Sequence, residues 1–391
     1  MRACMGSGKF TNLGEEQRAL HESWDDIARV SLLVAGLAVI VWAVVAALRT
    51  ATHHAAEALF HSAEHEGSLG ALVLVGALTV GGLVRGLLLA RPGWSDAAGD
   101  GMSVALGNYH LTYGDEVDDP DLRYARPAFG LALRKWVATF ITLASGGSGG
   151  LEAPVVTISE GLGAGWSRIM RSLSEHELRT YQLAAIAAGV SSLLGAPFTA
   201  ALFATEIAYT DRIIYRKFVY ALFAAVIAYV LNNRVFGFAP LFHASGHAEV
   251  YSLGEYAVTA LTAVLVSAPV ALGFGLVMAQ TKALVERVQP SWHGAAGGLG
   301  AGAVVIAMWW GLGIEPVHLL GMGEHTVSQL LAGDEALSAW WVLLAILIGK
   351  MLTTGLTIQS GGSAGILVPS MVFGGVAGGL IASLLNLSGL L

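Results

Sequence analysis

Apolar residues dominate long stretches of this chain and polar ones gather between them. Uninterrupted or nearly uninterrupted apolar runs fall at 31–48, 69–90, 181–205, 255–281, 338–349 and 364–387. The first is long enough to cross a hydrocarbon core of about 30 Å as a helix. Others are too short, too long or broken by glycine, a pattern that predicts tilted and discontinuous helices rather than a simple bundle. Between the runs lie polar loops: 49–68, with four histidines and three glutamates; 107–126, acidic and turn-rich; and 171–180, carrying charges of both signs. Residues 1–30 read as a soluble leader rather than a cleavable signal, because both signs of charge are present and no small-residue cleavage site follows cleanly.

Two stretches are near-copies. Gly146-Gly147-Ser148-Gly149-Gly150-Leu151-Glu152-Ala153-Pro154 and Gly361-Gly362-Ser363-Ala364-Gly365-Ile366-Leu367-Val368-Pro369 align without a gap. They match at both leading glycines, the serine, the fifth-position glycine and the proline. Each follows an apolar run and opens a helix-like segment, with Pro154 and Pro369 near the first turn, where a missing N–H costs nothing. Glycine-rich breaks of this kind, one per half, are how many transporters build a binding site from an inverted repeat. The free N–H groups and positive dipole ends of two such half-helices make an anion site. Glycine–proline breaks that merely kink buried helices are the alternative. Glu152 stands where the second copy has Leu367, and an ionisable group at a broken membrane helix is a functional hypothesis by default.

Composition agrees with a bilayer. The chain has 391 residues, of which 55% are hydrophobic and only 13% charged, and its 50 glycines suit close helix approach. The net charge of −7 is modest and argues against nucleic acid as a partner. The single cysteine, Cys4, rules out an internal disulfide. The division expected is a leader over 1–30 and a membrane domain over 31–391, with a first half at about 31–236 and a second at about 253–391.

At the duplicated motif the chain resembles the CLC family of chloride channels and chloride/proton exchangers. That family carries Gly-x-Glu-Gly-Pro, with a gating glutamate, and a later Gly-x-Phe-x-Pro; here they read Gly150-Leu151-Glu152-Ala153-Pro154 and Gly365-Ile366-Leu367-Val368-Pro369. A third signature, Gly-Ser-Gly-Ile-Pro, has a counterpart in Gly99-Asp100-Gly101-Met102-Ser103. Residues 184–206, with a Gly-Ala-Pro break at 195–197, are also similar to the family.

The resemblance implies an all-α polytopic membrane protein whose broken helices meet at the bilayer midplane. It implies transport of chloride or a similar small anion, protons as a second ion where coupling exists, a homodimer, and residence in the plasma (inner) membrane. Glu152 would be the gate: a carboxylate that occupies an anion site itself and, once protonated, swings away. A charge at mid-bilayer costs about 2.5–3.5 kcal/mol on insertion scales, and each helix terminus returns about 0.3–1 kcal/mol. The opposing terms nearly balance, so a small change in proton or anion concentration switches the state. Backbone amides of Ile366 and Leu367 would donate to the anion, with Gly365, Gly150, Gly101 and Met102 contributing. Lys135 either raises the local potential or anchors a helix at the interface.

Three departures qualify the match. Asp100 replaces a serine that donates to the central anion; the preferred reading is a displaced side chain that leaves the Gly101 and Met102 amides free. The position of the exchangers' internal proton-carrying glutamate is Ile207, and Glu206, about 100° away on a helix, does not substitute. That favours a passive path as the running alternative, with fluoride or nitrate as alternative anions. The chain also ends at Leu391, before the family's last helices and inner tyrosine gate.

No cofactor and no metal is implied. His61-Ser62-Ala63-Glu64-His65 fits H-x-x-E-H but sits in a short polar loop, so solvated or weakly metal-binding histidines are expected rather than a catalytic zinc. Gly146-x-Ser148-x-Gly150 and Gly361-x-Ser363-x-Gly365 fit the serine-hydrolase elbow. Two copies in a membrane chain argue for packing serines, not for an intramembrane protease.

Overall fold

A computed structural model describes residues 13–65, 68–111, 128–170, 175–209, 214–237, 242 and 253–387. These are almost wholly helical. In chain order the α-helices are α1 (Leu13–His65), α2 (Ser68–Leu89), α3 (Met102–Leu111), α4 (Ala128–Ala144), α5 (Glu152–Ile169), α6 (Glu175–Leu194) and α7 (Pro197–Tyr209). There follow α8 (Tyr215–Phe236), α9 (Leu253–Val285), α10 (His293–Leu312), α11 (Pro316–Leu319), α12 (Glu324–Leu331), α13 (Trp340–Gln359) and α14 (Leu367–Leu387). Among the described residues seven helices are long and apolar enough to cross a membrane. The protein is a multi-pass membrane protein.

The expected loop over 49–68 is helical through His65, because α1 runs on unbroken. Leu48, Thr52 and Ala63 keep a buried face at helical spacing. His53, His54 and Glu57 take the outer face, where His53 lies 3.6 Å from Glu57 one turn on. Helix α6 likewise starts within the expected loop at 171–180. Most of the 107–126 loop, Cys4 and residues 1–12 of the leader lie outside the described residues. The apolar run at 181–205 divides where Gly195 takes φ 64°, and Pro197 opens the next helix. Helices α4, α8 and α10 fall outside the apolar runs, because basic residues open or interrupt the first two and glycine dilutes the third.

Among the described residues the two larger apolar cores flank the centre. One joins α1, α5, α6 and α8 through residues such as Val41, Val155, Ile158, Ala184 and Ala224. The other joins α2, α10, α13 and α14 through Leu74, Val305, Leu343, Val368 and Phe373. Glycine sets the closest crossing: a Cβ on Gly82 would lie 2.0 Å from the Gly294 carbonyl oxygen, and one on Gly294 would lie 2.0 Å from that of Gly82. Such backbone-to-backbone approach is how membrane helices gain packing without a hydrophobic drive. Met322 packs against both cores, beside the point where the two halves meet.

Candidate anion site

The two near-copies touch. Gly150 N–H donates to the Gly365 carbonyl at 2.8 Å, and Gly365 N–H donates back at 2.6 Å. This antiparallel bridge aligns the start of α5 with the start of α14. The residues before it are exchanged reciprocally. Ser148 N–H donates to Thr357 Oγ1 and Ser363 N–H donates to Thr142 Oγ1, both at 3.1 Å. The serine hydroxyls pair with Thr354 and Thr139, both at 2.8 Å. Equivalent residues (Thr139 and Thr354, Thr142 and Thr357, Ser148 and Ser363) are the same number of residues apart, and because the bonds are reciprocal a twofold relation joins the halves, as in inverted-repeat transporters. All six hydroxyl groups are buried, and each is satisfied across the seam.

Glu152 is the first residue of α5 and is 7% exposed. Its carboxylate folds back over the bridge: a Cβ on Gly150 would lie 2.1 Å from its Oε2, and one on Gly365 would lie 3.0 Å from it. Both glycines are therefore required by the carboxylate's position. The backbone N–H groups of Leu151, Glu152 itself and Val368 face the carboxyl group, while Oε2 is buried with no hydrogen-bond partner. The group thus sits between two helix amino termini, in the place and with the donors a small anion would use. Glu324, at the start of α12, is the acid whose charge acts on it.

The remaining residues divide. Ile366 and Leu367, at the start of α14, have exposed side chains. Gly101 is buried, and its carbonyl accepts from Thr157 Oγ1 at 2.9 Å. The Met102 amide, expected to be free, is engaged: it donates to Asp100 Oδ1 at 3.1 Å. Asp100 has not swung away; from the residue before the N-cap, Gly101, it closes an Asx-turn onto the first N–H of α3. Lys135 is not an interfacial anchor. It is fully buried, and its ammonium donates to the carbonyls of Ala97 at 3.2 Å and Gly99 at 2.7 Å. Glu206 is exposed on α7 and joins none of these groups. The two G-x-S-x-G serines bind threonine hydroxyls. His61 and Glu64 lie on α1, in a helix rather than a loop.

Several residues escaped the sequence reading. Lys350 is buried in α13 and donates to Leu320 and Gly321 carbonyls at 2.8 and 2.7 Å, as Lys135 does to its own turn. The turn it holds, Gly321-Met322-Gly323, has φ 59° and 87° at its glycines; Gly99 and Gly101 have 63° and 82°. A signal existed. Lys-x-x-x-Thr-x-x-Thr-x-x-Ser-Gly-Gly-Ser-x-Gly occurs twice, from Lys135 and from Lys350, so the duplication begins well before the glycines.

Comparison with known proteins agrees with this fold. The family model described as voltage gated chloride channel matches residues 76–390. A chloride/fluoride channel protein of Pseudomonas syringae pv. tomato is 27% identical over 300 residues, covering 73% of this chain and 61% of that protein. The chain thus spans about 61% of the curated relative it matches. The crystal structure of a slow cyanobacterial Cl−/H+ antiporter superposes with a TM-score of 0.75 at 17% identity, covering 92% of this chain and 80% of the other. That of a CLC-type fluoride/proton antiporter gives 0.70 at 19% identity, covering 94% and 84%. At such identities the likeness is one of fold.

Proposed function

The chain belongs to the voltage-gated chloride channel family, and we propose that it moves small anions, chloride first, along a path crossing the Gly150–Gly365 bridge with Glu152 as its gate. One observation carries the reading: the Glu152 carboxylate lies buried between the starts of α5 and α14, over two glycines that leave it room. An ionised carboxylate there closes the path by holding the amides itself. Protonation removes its charge and its claim on the N–H donors, and an anion takes its place. Backbone amides suit this task because they desolvate the ion without a countercharge that would hold it too long.

Passive conduction is favoured over proton exchange by Glu206, which is exposed on α7 and leaves no carboxylate at the neighbouring Ile207. Fluoride is the second anion to test, since backbone donors discriminate weakly and the bacterial relative is named for both ions. A homodimer in the plasma (inner) membrane completes the reading.

The deciding experiment compares the natural chain with Glu152→Ala in liposomes under a chloride gradient, with protons followed at the same time. The expected result is faster chloride flux with a flattened pH dependence in the variant. Chloride flux with no proton movement marks a channel, whereas uphill proton movement marks an exchanger.

A further inference from the structure

Charge breaks the twofold that relates the halves at several positions, among them these two. Glu152 has Leu367 as its equivalent, and Asp100 has Met322. The turns holding Asp100 and Met322 share their shape, with left-handed glycines on either side, and each is pinned by a fully buried lysine donating to its carbonyls.

The position of Met322 is plain. With Gly321, Gly323 and Glu324 it lines a cavity of about 370 Å³ between α1 and α12. The Gly321 carbonyl accepts from Gly149 N–H at 3.1 Å, so this cavity abuts the segment leading to Glu152. The twofold carries the Met322 position to Asp100 at the opposite mouth. A local contact agrees: Thr157, which bonds the Gly101 carbonyl, lies five residues past Glu152, about 7.5 Å along α5.

We propose that Asp100 is a second carboxylate stopper on the anion path, standing at the mouth opposite the cavity and holding the Met102 amide that a passing anion would use. The proposal rests on the anion path argued above. Asp100 Oδ1 takes the Met102 N–H, as the Glu152 carboxylate takes the donors at the bridge. Lys135, donating into the same turn, has Asp100 as the acid whose charge acts on it. The charge there repels an incoming anion and lowers its occupancy.

The competing explanation is that Asp100 only closes the turn ahead of α3. Asparagine closes an Asx-turn as aspartate does, so Asp100→Asn separates charge from turn. Chloride efflux from liposomes is measured for the natural chain, Asp100→Asn, Asp100→Ser, Glu152→Ala and the Glu152→Ala, Asp100→Asn double variant. Removing one charge that faces the permeating ion is expected to speed efflux about tenfold in Asp100→Asn and Asp100→Ser. A similar factor is expected on top of Glu152→Ala. Efflux in Asp100→Asn equal to or below that of the natural chain, in both backgrounds, overturns the proposal. The gate fails separately: Glu152→Ala without effect, beside a faster Asp100→Asn, refutes the Glu152 reading and leaves Asp100 standing.

Discussion

Gly150 and Gly365 exchange their backbone hydrogen bonds, N–H to carbonyl in both directions at 2.8 and 2.6 Å. The bridge occupies each glycine's N–H and carbonyl, and it leaves the N–H groups of Leu151, Glu152 and Val368, at the starts of α5 and α14, directed at the Glu152 carboxyl. Side chains at either glycine would enter the space the carboxylate fills.

The two glycines are therefore not equivalent to mutation. A Cβ on Gly150 would overlap Glu152 Oε2 at 2.1 Å, whereas one on Gly365 would stand at 3.0 Å. Gly150→Ala is expected to displace the carboxylate and raise chloride flux at neutral pH towards that of Glu152→Ala. Gly365→Ala should have the smaller effect. Flux assays on the two variants check the order, and a larger effect from Gly365→Ala would contradict it.

The hydroxyl pairs across the seam are expected to be stability elements of equal weight. Thr354→Val removes the partner of Ser148 Oγ, and Thr139→Val that of Ser363 Oγ. Leaving a buried hydroxyl unsatisfied costs about 1–3 kcal/mol. Both variants should unfold at lower temperature in detergent by comparable amounts. A neutral result for either would show that its serine finds another partner.

The buried lysines should act locally. Lys350→Met removes the donor to Leu320 and Gly321, and Lys135→Met removes the donor to Ala97 and Gly99. Hydrogen exchange is expected to rise around 320–323 in the first variant and around 97–101 in the second, each without the other. Exchange rising equally at both turns would mean that the lysines support the whole fold instead.

Close approach of α2 and α10 leaves no room at Gly82 or Gly294, where an added Cβ would lie 2.0 Å from the facing carbonyl. Gly294→Val must separate the helices and undo the contacts of Leu78 and Val305 in the second core. Loss of folded protein on size-exclusion chromatography is the expected outcome; a normal elution profile would show that the crossing can relax.

Much of this was legible in the chain. The duplicated glycine motif announced the meeting of two broken helices, because glycine there serves backbone approach and Pro154 and Pro369 mark helix starts. Glu152 stood out because a charge in an apolar setting needs a reason. What the sequence hid was reciprocity. Thr142 and Thr357 look like ordinary helix residues until Ser363 and Ser148 are seen to donate to them across the seam. Lys135 read as either a source of local potential or an interfacial anchor, and Lys350 as an ordinary helix residue, because their partners are carbonyls of distant turns, which no local pattern reveals. The polar face of α1 masked its helical spacing, since composition along 49–65 speaks of a loop while Thr52 and Ala63 keep to one buried side. Asp100 read as a misfit because its acceptor role, to Met102 N–H, depends on backbone shape rather than on residue type.

The most direct test of the account is chloride flux against pH for the natural chain and Glu152→Ala, reconstituted in the same lipid. The buried carboxylate between α5 and α14 requires that the variant conduct faster at neutral pH and respond far less to acid. Flux and acid response unchanged by the substitution would contradict Glu152 as the gate.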